Sequence, residues 1–396
     1  MIRNERGIAL VVTLLVVALL AITVVEFTYS VEIDQHMARA ALSGLQASLL
    51  ARSGIHLGEA LLLHDSEAQY DAFTEEWCPS HDQLQDGERP SCSFDVANSQ
   101  IVVPDNMRLR VQILDEGSKL NLNLTRPLQP AQWRAAKNNP NSVQPFQAWQ
   151  SALGTLLAGR GVDNAVAESV ADYWDRLFEL KYGAANQANQ TPGVPTPGAP
   201  GPTPTPGAVT IDDFPSLDDA SIIPGLTPSV LRRMRPVMTA IDARRQGQVN
   251  INTASREVLN AIIGDGGIVD GVISQRQTAP LQGQDIGRLL AGVNQQDPEK
   301  RFVRSMVGVR SAFFLIRASA IINPNPLTGR GGISRSAAML VRRDPKPGVA
   351  PNAPPGTPRW TLTRLDWQKE GGAALFQQRV EQTPGSMDET SASDAF

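Results

Sequence analysis

Residues 1–26 read MIRNERGIALVVTLLVVALLAITVVE, and the run from Ile8 to Val25 contains no charged side chain. Thr13 and Thr23 are its only polar residues; Leu, Val, Ile and Ala fill the rest. As a helix rising ~1.5 Å per residue the run spans about 27 Å, close to the ~30 Å hydrocarbon core of a bilayer. A helix buried in a soluble core rarely runs so far without a charge, so the stretch reads as a membrane span. Arg3 and Arg6 precede it and Glu26 follows it. That asymmetry leaves the short N-terminus in the cytoplasm and the bulk of the chain across the membrane. A cleavable signal would need a small-x-small site just after the apolar core, and the best candidate, Thr28-Tyr29-Ser30, is a poor one.

Outward from the span, no proline occurs between Glu26 and Leu63. Ile33, Met37, Ala41, Leu45 and Leu49 recur at helical spacing with polar residues between them, which predicts an amphipathic helix continuous with the span. Cys78 and Cys92 come next, in a loop rich in Pro and Asp. An even pair on the non-cytoplasmic side of a membrane reads as a disulfide; a metal site needs more ligands than the nearby His81. Arg108 to Ile113 alternates polar and apolar residues as a half-buried strand does, and Asp115-Glu116-Gly117 ends it with a turn. Helical patterns cover Pro145–Arg160, Asp163–Leu180 and much of Ser216–Ala291, and alternation returns in Ser311–Ile322, Ser334–Arg343 and Trp360–Gln368.

Composition sets limits on function. The chain has 396 residues, 41% of them hydrophobic, which is too many for a mostly disordered protein and enough for two or three domains. A formal net charge of −4 argues against a protein that coats nucleic acid. Pro 29 and Gly 32 are high, and much of the excess is Thr191–Ala208, TPGVPTPGAPGPTPTPGA, whose composition favours an extended loop. No GxxxxGK[ST], HExxH, CxxC or GxSxG occurs, and the histidines at 36, 56, 64 and 81 have no repeated acidic partner. No catalytic chemistry is expected.

Two segments resemble each other: Lys119-Leu120-Asn121-Leu122-Asn123-Leu124-Thr125 and Gln248-Val249-Asn250-Ile251-Asn252-Thr253-Ala254. The alternation turns aliphatic side chains inward, lets the amides bond neighbouring backbone and leaves a Thr to cap the next helix. One reading is a helix-hairpin-helix DNA-binding module of the DNA-uptake type. In it a Gly-containing turn approaches phosphate, and Arg232, Arg233, Arg235, Arg244 and Arg245 touch the backbone.

The second reading is a family resemblance. Met1–Gly7 followed by Ile8 resembles the leader and mature start of type IV prepilins and type II secretion pseudopilins. Further motifs occur in the order found in type II secretion protein K, the large minor pseudopilin. They are Leu114-Asp115-Glu116-Gly117, Leu120 to Asn123, Asp172-Tyr173-Trp174-Asp175, Ile223 to Thr227, Leu231 to Pro236, Val249 to Ala254, Arg304-Ser305-Met306 and Ser311 to Phe314. The resemblance covers about residues 1 to 370. It implies cleavage after Gly7 by a prepilin peptidase and methylation of Ile8. Val12 stands where most pilin-like proteins carry glutamate, an absence typical of protein K. Family members bind calcium, which here implicates Asp172 and Asp175, although Leu177 and Ala184-Ala185-Asn186 depart from the acidic pattern and Asp212, Asp213, Asp218 and Asp219 are the substitutes at hand.

The expected architecture is α+β: a long N-terminal helix, transmembrane then amphipathic, packed on an antiparallel-sheet head with an inserted, mostly helical domain. The expected boundaries are a leader at 1–7, the span at 8–25, its periplasmic continuation at 26–63, head segments at 64–125 and 301–382, the insertion at 126–300 and a polar, disordered tail at 383–396. The resemblance implies an inner-membrane anchor and a periplasmic head. Its implied partners are minor pseudopilins of types I and J, the major pseudopilin, the prepilin peptidase and secreted proteins, without nucleic acid.

Overall fold

The structure is a computed structural model and describes residues 5–78, 92–96, 104, 106–139, 142–183, 211–293, 296–298, 300–323, 332–349 and 359–368. The Thr191–Ala208 segment, His81 and the tail after Gln382 lie outside the described residues. The chain opens with a single helix, α1 (Glu5–His64), of 60 residues. Thr13, Thr23 and Thr28 turn their hydroxyls back to the carbonyls of Leu10, Leu19 and Val24. The polar atoms of the apolar half are thus satisfied inside the helix, as a bilayer requires.

Strands β1 (Cys92–Asp95) and β2 (Met107–Asp115) precede the helical insertion. Within it lie four two-residue strands, β3 (Leu120–Asn121), β4 (Met238–Thr239), β5 (Val249–Asn250) and β6 (Val307–Gly308). Strands β7 (Phe313–Ile322), β8 (Ile333–Pro345) and β9 (Trp360–Gln368) follow it. The order β1-β2-β7-β8-β9 makes one sheet, antiparallel throughout. Its period-two pattern turns Val111, Ile113, Phe314, Ile316 and Met339 to one face, and Ala51, Ile55 and Leu62 of α1 bury them. The fold class is therefore α+β, with the long helix on an antiparallel sheet.

Helix and sheet meet through small residues. A Cβ on Gly58 would lie 2.5 Å from Ile316 Cγ2, and one on Gly54 would lie 2.7 Å from Ala318 Cβ. Glycine inside a helix costs roughly 0.5–1 kcal/mol against alanine, a cost offset here by the close approach it permits. The buried face runs Gly44, Ala47, Ala51, Gly54, Gly58. The face expected from the sequence does not pack on the sheet: Ile33, Met37, Ala41, Leu45 and Leu49 are all exposed. Periodicity found an apolar stripe on the far side of the helix, while the packed stripe from Gly44 to Gly58 is small in side chain except at Ile55 and registers weakly as hydrophobic.

The insertion contains α2 (Pro130–Asn138), α3 (Pro145–Gly159), α4 (Ala165–Phe178), α5 (Pro228–Met234), α6 (Arg256–Ile263), α7 (Gly266–Thr278), α8 (Gly283–Leu289) and α9 (Val303–Met306). Proline fills the first turn of α2, α3 and α5, where its missing N–H has no partner to lose. Leu153, Trp174, Leu231, Leu259 and Val269 belong to a hydrophobic core separate from that beneath α1. The chain leaves the sheet after Asp115 and returns at Phe313, so both asparagine segments pack with the helices, the first of them just ahead of the 126–300 range that patterning marked. Gly44 lies beside Ile333, Gly54 beside Ala318 and Gly58 beside Ile316. The helix thus climbs β7 and β8 to Asp65, and the insertion sits at the end remote from the apolar segment.

Replacing Gly58 by Val will lower the unfolding free energy by about 1–3 kcal/mol or more through overpacking. Adding Ile316→Ala to that variant will recover part of the loss. Thermal melting of the single and double variants in detergent reads the coupling.

Candidate functional site

Buried polar groups concentrate where α1 ends, β2 ends and the insertion begins. Asp115, 1% exposed, is the centre. Its Oδ1 accepts the Gly117 N–H at 2.7 Å. Its Oδ2 accepts Thr253 Oγ1 at 2.5 Å, Ser311 Oγ at 2.7 Å and Asn250 Nδ2 at 3.0 Å. Burial pushes its carboxyl up, and the bonds from Thr253, Ser311, Asn250 and Gly117 oppose that.

The asparagine segments are equivalent in structure as well as in sequence. Asn121 and Asn250 each accept the N–H two residues on, at 3.1 Å. Asn123 bonds both the carbonyl and the N–H of Phe214, and Asn252 does the same with Leu281. Each segment also starts a parallel two-residue ladder, Leu120 with Met238 and Val249 with Val307. The amides therefore bond backbone as expected, but the threonines do not cap helices. Thr125 donates to Leu122 O and accepts from Trp174 Nε1, Thr253 serves Asp115, and Ser255 caps α6 through the Val258 N–H. Alternation alone does not say which hydroxyl lands at a helix start.

Beside Asp115 lies a second cluster. Arg343, fully buried, donates Nη1 to Asp65 Oδ2 at 2.6 Å and Nη2 to Asp71 Oδ1. Its guanidinium stacks between Trp360 and Phe314, 4.3 and 4.7 Å from the ring centroids. Asp65, Asp71 and Glu75 bring ligand atoms within 4.8 Å of one another around this cation. A further clasp joins α1 to the sheet edge: Arg364 Nε donates to Glu59 Oε1 at 2.6 Å. Burial pushes Glu59 up, but the bonds and charges of Arg364 and His56 outweigh it and hold the carboxyl below its ordinary value. Sequence reading missed Asp65, Asp71 and Glu75. Arg343 carried a signal, a charge two residues from Val341 on the inward side of an alternating strand.

The remaining sequence candidates are dispersed. Gly7 and Ile8 lie near the start of α1, and Val12 on its apolar half is exposed. Cys78 and Cys92 are bonded, with Cα atoms 5.3 Å apart, and tie the loop after α1 to β1. Asp172 and Asp175 share α4, where Asp172 is exposed and Asp175 accepts Trp133 Nε1 at 2.9 Å and Lys137 Nζ at 2.8 Å. Calcium takes six to eight oxygens. With an ammonium and an indole N–H on Asp175, and no carboxylate cluster about the pair among the described residues, these two residues do not fit the ion. Of the substitutes, Asp213 pairs with Arg126, Asp218 with Arg235, and Asp219 takes the Ser216 N–H and hydroxyl.

Two consecutive helices, α6 and α7, meet at a glycine turn as the DNA-binding reading expects, but the turn offers no phosphate site. Gly264, with φ +69°, ends α6 and leads into α7. The amides there are taken: Asp265 Oδ1 accepts the Gly267 and Ile268 N–H groups at 2.9 and 3.1 Å. In the equivalent turn before α4, Asp163 Oδ1 accepts the Ala165 N–H at 2.9 Å. A carboxylate in each turn repels the phosphate the motif would bind. Arg233 donates to the carbonyls of Arg160 and Gly161, and Arg235 and Arg245 pair with Asp218 and Asp344.

Helix, sheet and joint define a class: an α+β head carried on one helix long and apolar enough to cross a membrane. No protein-family model matches the chain, and no curated protein matches it. Among solved structures, the chain is similar to one chain of the crystal structure of the GspK–GspI–GspJ complex from the type 2 secretion system of enterotoxigenic Escherichia coli. The match has 16% identity and a TM-score of 0.48, and it covers 85% of this chain and 100% of that one. A likeness of that size carries no functional argument, which rests on this chain's own helix and joint.

Asp115→Ala will leave four buried donors without their acceptor and cost about 3 kcal/mol or more. Leu315→Ala, a cut at a half-buried sheet position, will cost less. Chemical denaturation of both variants is the check.

Proposed function

We propose that this chain is the large minor pseudopilin of a type II secretion system in a Gram-negative bacterium, a non-enzymatic assembly subunit. One observation carries the reading. Residues 26–41 of α1 are exposed on every side, about 24 Å of helix. Beyond them Leu42, Leu45 and Leu49 stay 57%, 58% and 53% exposed, opposite the face that packs on the sheet. Their steps of three and four residues form the seam of a helix that packs beside other helices. A soluble monomer does not leave such a stripe in water.

The sequence supplies the rest of the proposal. A prepilin peptidase cuts after Gly7 and methylates Ile8, leaving Ile8–Val25 as a single-pass anchor in the inner membrane with the head in the periplasm. Val12 offers no carboxylate to the amine of a neighbouring subunit, and a buried carboxylate without such a partner costs a few kcal/mol. The chain accordingly occupies the tip of the pseudopilus, where nothing stacks above it, and the insertion lies at the end remote from the membrane. There it initiates assembly with the type I and type J minor pseudopilins, above the major pseudopilin, and meets secreted proteins. No nucleic acid takes part, since aspartates fill both hairpin turns.

Protein recovered from membranes will begin at Ile8 on N-terminal sequencing; a start near residue 31 would sink the reading. Leu45→Asp with Leu49→Asp will weaken co-purification with the other minor pseudopilins by about a hundredfold or more, because two apolar side chains lose burial worth ~1.5–3 kcal/mol each. The melting temperature of the isolated chain will not fall, since both residues are exposed in it.

A further inference from the structure

We propose that the joint between head and helical insertion is pinned by a proton held between Glu75 and Asp65, and that its loss at alkaline pH frees the insertion from the head. The cluster holds more carboxylates than cations. Asp65, Asp71 and Glu75 lie within 4.8 Å of one another, and among the described residues Arg343 is the cation bonded to them. Both its η nitrogens are committed, one to Asp65 and one to Asp71. Glu75 receives neutral donors instead, the Ala72 N–H at 2.6 Å and Trp77 Nε1 at 3.1 Å. Its carboxyl also lies within 4.8 Å of the Asp65 carboxyl, and two negative charges that close, with the one cation already committed, favour a proton shared between them. Asp65 faces the guanidinium, so the proton sits on Glu75.

The Ala72 and Trp77 donors favour the charged carboxylate, and burial with the nearby Asp65 outweighs them. Burial, then the charge of Asp65, push the Glu75 carboxyl up to about 9. From the same loop, Tyr70 is pushed up by its burial and by Glu67, Glu75 and Asp65, so it does not titrate ahead of Glu75. His64 at the end of α1 is exposed. From the far side, Arg310 stacks over Trp360, and Asp115 is engaged by Ser311 and Asn250. Asp65, Asp71 and Arg343 are buried and Glu75 half-buried, with Trp77 packed beside it, so water screens a third negative charge only in part.

The loop that holds the proton also holds the insertion. Asp71 donates its N–H to Val309 O at 2.7 Å, its carbonyl accepts Asn250 Nδ2 at 2.9 Å, and its Oδ2 accepts the Ser311 N–H at 2.6 Å. Repulsion within the cluster therefore acts on all three bonds at once. Glu75 binds its proton more tightly folded than unfolded, where its ordinary value is 4.5. Its stabilisation is complete below that value, declines as pH rises, and is lost through about 9.

Hydrogen exchange of the full chain in detergent, corrected for intrinsic rate, tests the pin. Protection of the Asp71 and Ser311 amides will fall by up to about tenfold per pH unit through this range, while the sheet amides of Ala318 and Ala337 hold. Glu75→Gln, which keeps a neutral donor towards Asp65, will show no such fall. Independently of that variant, the infrared spectrum of the native chain will carry a protonated-carboxyl band at neutral pH that disappears on raising the pH through about 9. No band at neutral pH, an equal loss in sheet and joint, or an unchanged pH dependence in Glu75→Gln each overturns the proposal. None of these readouts depends on pseudopilus assembly, so their failure leaves the assembly reading standing.

Discussion

Because α1 meets the sheet through Gly44, Ala47, Ala51, Gly54 and Gly58, its axis lies closer to the strands than bulky side chains allow. Two consequences follow from that spacing. The sheet contributes the large residues, Phe314, Ile316 and Met339, and the helix contributes the groove they fill. Leu42, Leu45 and Leu49 are left on the other face. That outer side stays apolar and open until something covers it.

At the top of the helix the apolar logic gives way to a polar one. The core beneath α1 and the core of the insertion do not merge. Between them stand Asp115, Asp71 and Arg343, each buried and each bonded to residues far away in sequence. Hydrophobic contact is tolerant of sliding, whereas carboxylates that accept several bonds are not. The joint fixes the orientation of one unit on the other.

Much of this was legible in the sequence, unevenly. The membrane span, the strands at Met107–Asp115, Phe313–Ile322, Ile333–Pro345 and Trp360–Gln368, and helices α3 and α4 announce themselves through charge and periodicity. The packed face of α1 does not, since glycine and alanine carry no hydrophobic signal even where their smallness is what matters. Nor does the Asp65–Asp71–Glu75 cluster, whose members sit on an irregular loop and whose two aspartates meet Arg343 across more than 270 residues. The asparagine repeats lie between these cases. Their amide bonding was readable, while the partners, Phe214 and Leu281, came only with the fold.

The insertion joins the sheet at two neighbouring places. Asp115, where the chain departs, pairs directly with Phe314, beside the point of return. For the sheet, the only requirement is that two adjacent strand ends be connected, whatever lies between them. The insertion can therefore grow, shrink or duplicate without disturbing strand register, and the matched asparagine segments have the form of such a duplication. A lineage can remodel what this protein presents at its far end while the part that must stand among other helices stays unchanged.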